Sequence, residues 1–353
     1  MKKFQVQSPT FRVKRKAYPC LLSAACCLLI VSLFSCSLKK EQTYQKTMIL
    51  MDTLVTINVV SGSSDKADKA MDRAFDEIGK LDKLLNFFSA SSELSIINRS
   101  AGTSAVKVSP ETLEVIEDAI FVSEKTGGAF DPAIGPEISL WDFHTRKMPD
   151  DGTVRKRLPL VNYKLITVDK DKSTVYLEKK GMLMDLGAIA KGYAADKAVE
   201  ELKRQGIRSG LVSCAGDIRA FGLKPDGKPW RIGIKNPRPA NKDDEIMAAV
   251  ELSDMAISTS GDYERFFISS GTRYHHILDP KTGYSARGCR SVTVIAKRGF
   301  QTDAFSTGVF VLGPKKGMEV LRQMGFEGVI VDKDGNIETT PGLKGKIEFK
   351  RNN

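Results

Sequence analysis

The spacing of apolar residues along the chain predicts long helices in its first half and mostly short strands later. From residue 65 to 88, apolar side chains recur every three or four positions, which is typical of one face of an amphipathic helix. A second helix is predicted over residues 110–126, where Pro110 suits the first helical turn. Residues 48–60 alternate in polarity and are rich in β-branched side chains, which indicates a strand.

Shorter periodic segments fill the remaining chain. Strands are predicted at residues 165–168, 174–178, 211–216, 218–222, 230–234, 246–258, 263–267, 274–278 and 291–296. Helices are predicted up to about residue 205 from a turn near residue 185, from residue 302 onward, and over residues 315–324. The charged stretch 147–157 is predicted to be a loop. Strand runs that are mostly joined by hairpins favour an α+β fold in which antiparallel sheets pack with helices.

The first 35 residues look like an export signal. They carry six Lys and Arg and no acid, and an apolar run from residue 21 to 34 ends in LFSCS. This pattern predicts a lipoprotein signal peptide at 1–35, a lipidated Cys36 with a polar tether at 36–47, and a folded domain at 48–353. The alternative is an uncleaved anchor, although a full span needs roughly 20 apolar residues. We expect an exported protein anchored at the periplasmic face of the inner membrane.

The charge distribution and the cysteines indicate which classes of partner and bond to expect. The formal charge is +11, but the leader contributes more than half of it, and both signs are mixed over the remainder. Because basic blocks with interleaved aromatic residues are absent outside the leader, nucleic acid is not an expected partner. Cys214 and Cys289 are the two cysteines beyond the leader and Cys36, and they form either one disulfide or two buried free thiols.

The stretch MDLGAIAKGYAADKA at residues 184–198 is the strongest candidate for chemistry. An apolar run ends in Asp185, a turn follows at Gly187, and Lys191 lies one turn into the predicted helix. The first amide groups of a helix are unpaired and its dipole favours negative charge, so this is a plausible corner for an anion and a metal ion. It is not a Walker loop, because Gly192 follows the lysine.

A second segment, TDAFSTGVFVLG at residues 302–313, presents a carboxylate and a hydroxyl. Asp303 and Thr307 are four residues apart and share one face of a helix. Such oxygens suit Mg²⁺, which is often held by few protein ligands together with substrate phosphates. The alternative is a helix N-terminus capped by Asp303, with Thr307 bonded back to the preceding turn. The spacing alone favours this capping alternative.

Adjacent histidines raise a further question of role. His275 and His276 are predicted to lie in one strand, so they point to opposite faces, and one could reach a site while the other stays on the surface. The small-residue loop around Cys214–Asp217 could let the backbone approach a ligand, and Asp217 is equally consistent with a turn. The glycine- and proline-rich loop at residues 127–136 has more backbone constraints than a simple connection needs.

Six of these motifs, in order, resemble the ApbE family. They are GGAFDPAIGP, DLGAIAKGYAAD, CAGDIRAFG, TSGDYERFF, HHILDPKTGY and TDAFSTGVFVLG, within a match over roughly residues 48–340. Members of this family are FAD:protein FMN transferases, so the resemblance implies an ApbE/T-fold-like α+β architecture. It also implies Mg²⁺-dependent cleavage of FAD, attachment of FMN to a Thr or Ser of an acceptor flavoprotein, and release of AMP. Acceptors carry a D-x-x-[S/T]-G-A-T motif, as in subunits of membrane redox complexes.

The resemblance also implies roles for single residues. The metal would be held by Asp303, Thr307 and the backbone carbonyl of Ala188, and His276 would assist proton removal from the acceptor hydroxyl, with Asp303 the second catalytic residue. Contacts to FAD map to Met51, Phe88, Ala129, Phe130, Asp131, Asp185, Lys191 and Ile277. Phe88 stands where some relatives have tyrosine, which leaves flavin affinity open. Two other functions stay open: a Mg²⁺-dependent FAD pyrophosphatase and a non-enzymatic flavin-binding lipoprotein.

Overall fold

The computed structural model describes residues 40–350 of the chain. The predicted signal peptide and the lipidation residue Cys36 lie outside this part. The strands are β1 (Gln42–Leu50), β2 (Thr53–Ser61), β3 (Val106–Lys107), β4 (Ile166–Asp169), β5 (Thr174–Leu177), β6 (Gly210–Cys214), β7 (Asp217–Phe221), β8 (Trp230–Lys235), β9 (Ile246–Leu252), β10 (Ala256–Gly261), β11 (Phe266–Ser269), β12 (Thr272–His275), β13 (Cys289–Ala296), β14 (Glu327–Asp332), β15 (Ile337–Thr339) and β16 (Ile347–Phe349). The α-helices are α1 (Ser64–Leu85), α2 (Glu93–Arg99), α3 (Pro110–Lys125), α4 (Gly135–Ile138), α5 (Asp151–Arg157), α6 (Ala190–Arg204), α7 (Gly299–Leu312) and α8 (Pro314–Met324).

An eight-stranded sheet forms the centre of the fold. Its order is β1-β2-β6-β7-β10-β13-β14-β15, and every neighbouring pair is antiparallel. Smaller antiparallel sheets consist of β16-β9-β8, β3-β5-β4 and β11-β12. The prediction of an α+β fold with antiparallel sheets and helices is confirmed.

The large sheet is covered on both faces, because successive side chains of a strand point to opposite sides. On β13, Val292 and Val294 join the core shared with the helices, whereas Ile295 joins a second core. That second core lies between the large sheet and β8 and β9, which contribute Trp230 and Val250. The helices α1, α6 and α7 pack on the first face.

Helices α6 and α7 cross with their backbones in close contact. A Cβ atom on Gly192 would overlap the carbonyl of Gly299 and come within 2.8 Å of the Asp303 Cβ. A Cβ atom on Gly299 would in turn overlap the carbonyl of Gly192. Only residues without a side chain permit this approach, and it brings the start of α6 against Asp303 on α7.

A buried carboxylate strengthens the same junction. Asp196 of α6 is 2 % exposed, and its Oδ2 accepts hydrogen bonds from the Phe300 amide (3.2 Å) and from Arg298 Nε (3.3 Å). Its Oδ1 lies 3.2 Å from Nε of Arg219 on β7. A buried carboxylate needs such partners, since an uncompensated charge in the interior is costly. Asp196 therefore ties α6 to the sheet and to the start of α7.

The N-terminal prediction was wrong in two respects. Residues 48–60 are not one strand, because Met51 and Asp52 form a two-residue turn between β1 and β2, both with positive φ (53° and 56°). The polar alternation continues through this turn without the Asn-Gly or Asp-Gly signal of a tight hairpin. The tether was predicted to reach residue 47, but β1 begins at Gln42, and its polar side chains suit an exposed edge strand.

Other element boundaries also differ from the prediction. The stretch 147–157 contains helix α5, whose first turn is capped by the Asp150 side chain, and helix α2 was not predicted. Short helices of this kind are stabilised by capping and packing rather than by a long apolar period. Helix α7 begins at Gly299 rather than at residue 302. Strand β12 ends at His275, so His276 lies just beyond it.

The two cysteines and the lengths of the helices are described within residues 40–350. Cys214 and Cys289 are both buried free thiols, which agrees with the second of the two alternatives. None of the helices in this part of the chain is long and apolar enough to cross a membrane.

The glycine crossing gives the first prediction. Gly192→Ala should lower the free energy of unfolding by about 2 kcal/mol or more, because the new methyl group overlaps the Gly299 backbone. Gly79→Ala is the matched control in α1, where a Cβ atom would meet only Leu50 Cδ2 at 3.8 Å. This control should gain about 0.5–1 kcal/mol from helix propensity. Urea unfolding measures both changes, and equal stability of the Gly192 variant and the wild type would contradict the crossing.

Candidate active site

The site is built where β6, β7 and β10 meet the starts of α6 and α7. Residues 185–189 form a tight turn into α6, because the Gly187 amide donates to Asp185 Oδ1 (2.6 Å) and the Ile189 and Ala190 amides donate to the Leu186 carbonyl. The Asp185 amide donates to the Pro132 carbonyl (2.8 Å), which joins this turn to the loop at residues 127–136. Burial raises the pKa of Asp185, and its bond from Gly187 opposes that shift.

Lys191 lies between two buried acids. Its Nζ is 3.0 Å from Asp217 Oδ2, 3.7 Å from Asp303 Oδ2 and 3.3 Å from the Gly187 carbonyl oxygen. Burial alone would lower the pKa of this lysine, but the two carboxylates outweigh burial and raise it. Lys191 is therefore charged and fixed in place at the corner predicted from the sequence.

Asp303 does not cap its helix. It is the fifth residue of α7 and 4 % exposed, and its Oδ2 accepts a hydrogen bond from the Gly192 amide (3.0 Å). Burial, followed by the nearby charge of Asp217, raises the pKa of Asp303 to about 7. The capping alternative is wrong, because the helix starts at Gly299, four residues before Asp303.

The backbone just before α6 offers a free carbonyl. Ala188 precedes the first residue of α6, Ala190, and Gly192 is the third residue of that helix, so its amide is one of the first four that have no acceptor within a helix. Asp303 accepts from this amide, and no amide in residues 40–350 donates to the Ala188 oxygen. Thr307 follows Asp303 by one turn, and its hydroxyl lies 3.0 Å from Ser260 Oγ of β10. A carbonyl just before α6 thus accompanies a carboxylate and a hydroxyl on α7, near the crossing at Gly192.

The two histidines have different surroundings. His275 is 3 % exposed, its Nε2 donates to the Ala286 carbonyl (2.8 Å), and its Nδ1 accepts from the Ile277 amide (3.3 Å). Both ring nitrogens are used, so His275 is structural. The sequence predicted that one of the two histidines could reach a site while the other stays on the surface. His275 does not lie on the surface, because its side chain is buried.

One ring nitrogen of His276 has no hydrogen-bond partner among residues 40–350. Its amide donates to the Arg265 carbonyl (3.1 Å), and its Nδ1 lies 3.4 Å from the same oxygen. Since a carbonyl oxygen only accepts, the ring proton belongs on Nδ1, and Nε2 carries the lone pair. Burial, followed by the charge of Arg265, lowers the pKa of His276 to about 3. The ring is therefore neutral at physiological pH, as a general base must be.

The loop at residues 127–136 has a firm internal structure. Ala129, Phe130 and Asp131 are all buried. The carboxylate of Asp131 accepts from the Ala133 amide (2.8 Å) and the Tyr163 amide (2.9 Å), and burial raises its pKa to about 6. Both oxygens are used within the protein, so Asp131 shapes the loop beside Asp185.

Met51 and Phe88 form a separate group at the end of α1. The Met51 amide donates to Asp82 Oδ2 (3.1 Å), while the Asn86 side chain bonds both Asp82 and the Phe88 amide. Phe88 is 84 % exposed and touches Phe87 edge to face.

The strand that follows Met51 reaches the site, because the Leu54 carbonyl accepts from the Ala215 amide (3.2 Å). Ile277 is buried directly after His276.

Sequence reasoning left the role of Asp217 open and missed two other residues of the corner. Asp217 contacts Lys191, Ser260 contacts Thr307, and the Arg265 carbonyl accepts from His276. The small-residue loop before Asp217 was a usable signal, but a turn residue has the same signature. Ser260 and Arg265 lie in strand or turn segments whose partners become neighbours only through the sheet order.

Comparison with known proteins identifies the family of this chain. A sequence model described as the ApbE family matches residues 51–330. The chain belongs to the ApbE family. A protein of Treponema pallidum named FAD:protein FMN transferase is 32% identical over 326 residues, which cover 87% of this chain and 90% of the relative. A protein of Escherichia coli K12 with the same name is 32% identical over 262 residues, covering 72% and 74% of the two chains.

Solved structures of ApbE proteins share the fold. The ApbE protein of Thermotoga maritima superposes with a TM-score of 0.79 at 35% identity, covering 86% of this chain and 99% of its own. The flavin transferase ApbE of Vibrio cholerae gives a TM-score of 0.76 at 29% identity, covering 87% and 99%.

The histidine assignments give the second prediction. His275→Ala should lower the free energy of unfolding by about 2–3 kcal/mol, because it removes two buried hydrogen bonds and leaves a cavity. His276→Ala should change stability by less than about 0.5 kcal/mol, since that ring makes a single long bond at the site's edge. Thermal and urea unfolding of both variants measure this difference. Equal losses would contradict the separate roles.

Proposed function

We propose that this chain is a Mg²⁺-dependent FAD:protein FMN transferase. The observation that carries the proposal is the hydrogen bond from the Gly192 amide to Asp303, which holds this carboxylate at the start of α6, just after Ala188, whose carbonyl has no amide donor in residues 40–350. Lys191 at the same corner supplies a fixed positive charge, and His276 supplies a neutral base. The names of the relatives support this assignment of substrate and reaction class.

The oxygen atoms present fit a hard divalent cation. Ala188 O, the Asp303 carboxylate and Thr307 Oγ1 would hold Mg²⁺ with substrate phosphate oxygens, and Oδ1 of Asp303 takes no hydrogen bond from residues 40–350. No group of three or more His, Cys, Asp or Glu in that range is arranged to hold a metal, so a cage made of side chains alone is not expected. Bound Mg²⁺ supplies neutralisation of the diphosphate charge.

The protein residues would carry the remaining steps. Nε2 of His276 accepts the proton of the acceptor Thr or Ser hydroxyl, and the hydroxyl oxygen forms a new bond to the FMN phosphorus. The P–O bond to the AMP phosphate breaks, and AMP leaves with that oxygen. Lys191 remains charged because of Asp217 and Asp303, and its charge partly offsets theirs where the substrate phosphates would bind. Met51, Phe88 and Ile277, with the loop at residues 129–131, would contact the flavin.

The test uses FAD, Mg²⁺ and an acceptor protein with a D-x-x-[S/T]-G-A-T motif, followed by intact mass of the denatured acceptor. A transferase adds one FMN, and the addition requires Mg²⁺ and the acceptor hydroxyl. Free FMN and AMP with an acceptor that stays unmodified, for several acceptors, would establish a pyrophosphatase instead. Tight FAD binding without any cleavage would leave the flavin-binding lipoprotein.

In the same assay, Asp303→Ala should abolish Mg²⁺-dependent turnover, because the metal loses its carboxylate ligand; full activity would exclude the metal assignment. His276→Ala should slow transfer more than it weakens FAD binding, since the base acts on the acceptor. Equal loss of both would mark His276 as structural.

We also propose that the chain is an exported lipoprotein, on the basis of the basic, apolar leader and Cys36. Its site would face acceptor subunits of membrane redox complexes from the periplasmic side of the inner membrane. Mass spectrometry of the membrane-extracted protein should show a chain that begins at an acylated Cys36. A mature chain that retains residues 1–35 would contradict this.

A further inference from the structure

Arg265 lies directly behind the proposed base. It precedes β11 in the turn that follows β10, and its carbonyl oxygen receives both the His276 amide and the His276 Nδ1 proton. The residue that holds the histidine ring therefore also brings a guanidinium group to the edge of the site.

The charge of this guanidinium reaches the corner. Burial raises the pKa of Asp185, and the hydrogen bond from Gly187 lowers it. The positive charges of Arg265 and Lys191 lower this pKa further. The same two cations also act against protonation of His276. Arg265 and Lys191 thus lie within electrostatic reach of the same two groups.

The two cations differ in their partners. Lys191 is engaged by Asp217 and Asp303, whereas the exposed Arg265 guanidinium has no carboxylate within 4.0 Å and no hydrogen bond in the described part of the chain. Neighbouring arginines are engaged: Arg238 forms a bidentate pair with Asp262 (2.8 and 2.6 Å), and Arg273 stacks on the Phe266 ring at 3.7 Å. Arg265 is therefore the cation of this hairpin that keeps its donors available.

An unpaired arginine at this position suits a phosphate group. A guanidinium presents two parallel N–H donors that match phosphate oxygens, and it does so with little reorganisation. The first turn of α6, where Lys191 lies, also favours an anion. Because both cations act on His276, a diphosphate bound by them would lie near that ring.

We propose that Arg265 binds the diphosphate of the flavin substrate by two hydrogen bonds, and so holds the reacting phosphorus beside His276. This inference rests on the proposed function, since it assumes that a flavin dinucleotide occupies the site. It assigns to Arg265 a substrate contact that acts together with Lys191.

The experiment measures binding with the detergent-solubilised full chain, by calorimetry, for FAD, inorganic pyrophosphate and riboflavin. Arg265→Gln should weaken FAD and pyrophosphate binding about tenfold and leave riboflavin binding unchanged, because riboflavin has no phosphate. Arg265→Lys should recover part of the affinity, since the charge remains but the paired donors do not. Arg287→Gln, an exposed arginine stacked over Tyr274, is the control and should bind all three ligands as the wild type does.

The outcomes separate the inference from the function. Unchanged FAD affinity in Arg265→Gln, or an equal loss for riboflavin, would overturn the phosphate assignment. Normal FAD affinity with a raised KM for the acceptor would overturn it as well, in favour of acceptor recognition. Arg265-dependent FAD binding without FMN transfer would overturn the proposed function and leave the inference standing. A wild type without affinity for FAD or pyrophosphate would overturn both.

Discussion

The site depends on the close approach of α6 and α7 at Gly192 and Gly299. With any side chain at these positions the helices would separate, and Asp303 would lose its bond from the Gly192 amide. That bond holds the carboxylate at the start of α6, just after Ala188, whose carbonyl has no amide donor in residues 40–350. One packing constraint therefore determines where the carboxylate lies relative to the start of α6.

The electrostatics of the corner follow from this packing. Two buried carboxylates, Asp217 and Asp303, share one lysine, so the negative charge is only partly compensated. Burial and mutual repulsion make ionisation of Asp303 costly, and its pKa is raised accordingly. A cation at the corner would reduce the cost of ionising Asp303, and this is why the buried acid pair fits the proposed binding of Mg²⁺. In an isolated, solvent-exposed helix the same carboxylate would ionise without this cost.

The hairpin of β11 and β12 provides the second constraint. It ends at His275, whose buried ring is bonded on both sides, and this anchors the next residue in the chain. His276 therefore has a fixed position, while its Nδ1 is turned to the Arg265 carbonyl and its Nε2 is free. A structural histidine thus positions a chemically available one, and the distinction depends on the carbonyl groups of Ala286 and Arg265, each eleven residues away from its histidine.

The sequence by itself determined the class of fold, the long helices and most strands, and the motifs that indicate the family, because these follow from local periodicity and residue type. It also determined that Asp185, Lys191, Asp303 and His276 were candidates. It could not determine the turn at Met51, the start of α7, or the roles of Asp217 and Arg265. The turn lacks its usual residue signal, while the others depend on long-range contacts, namely a glycine crossing and sheet neighbours far apart in the chain. Tertiary packing decided which polar atoms are already bonded within the protein and which remain available to a ligand.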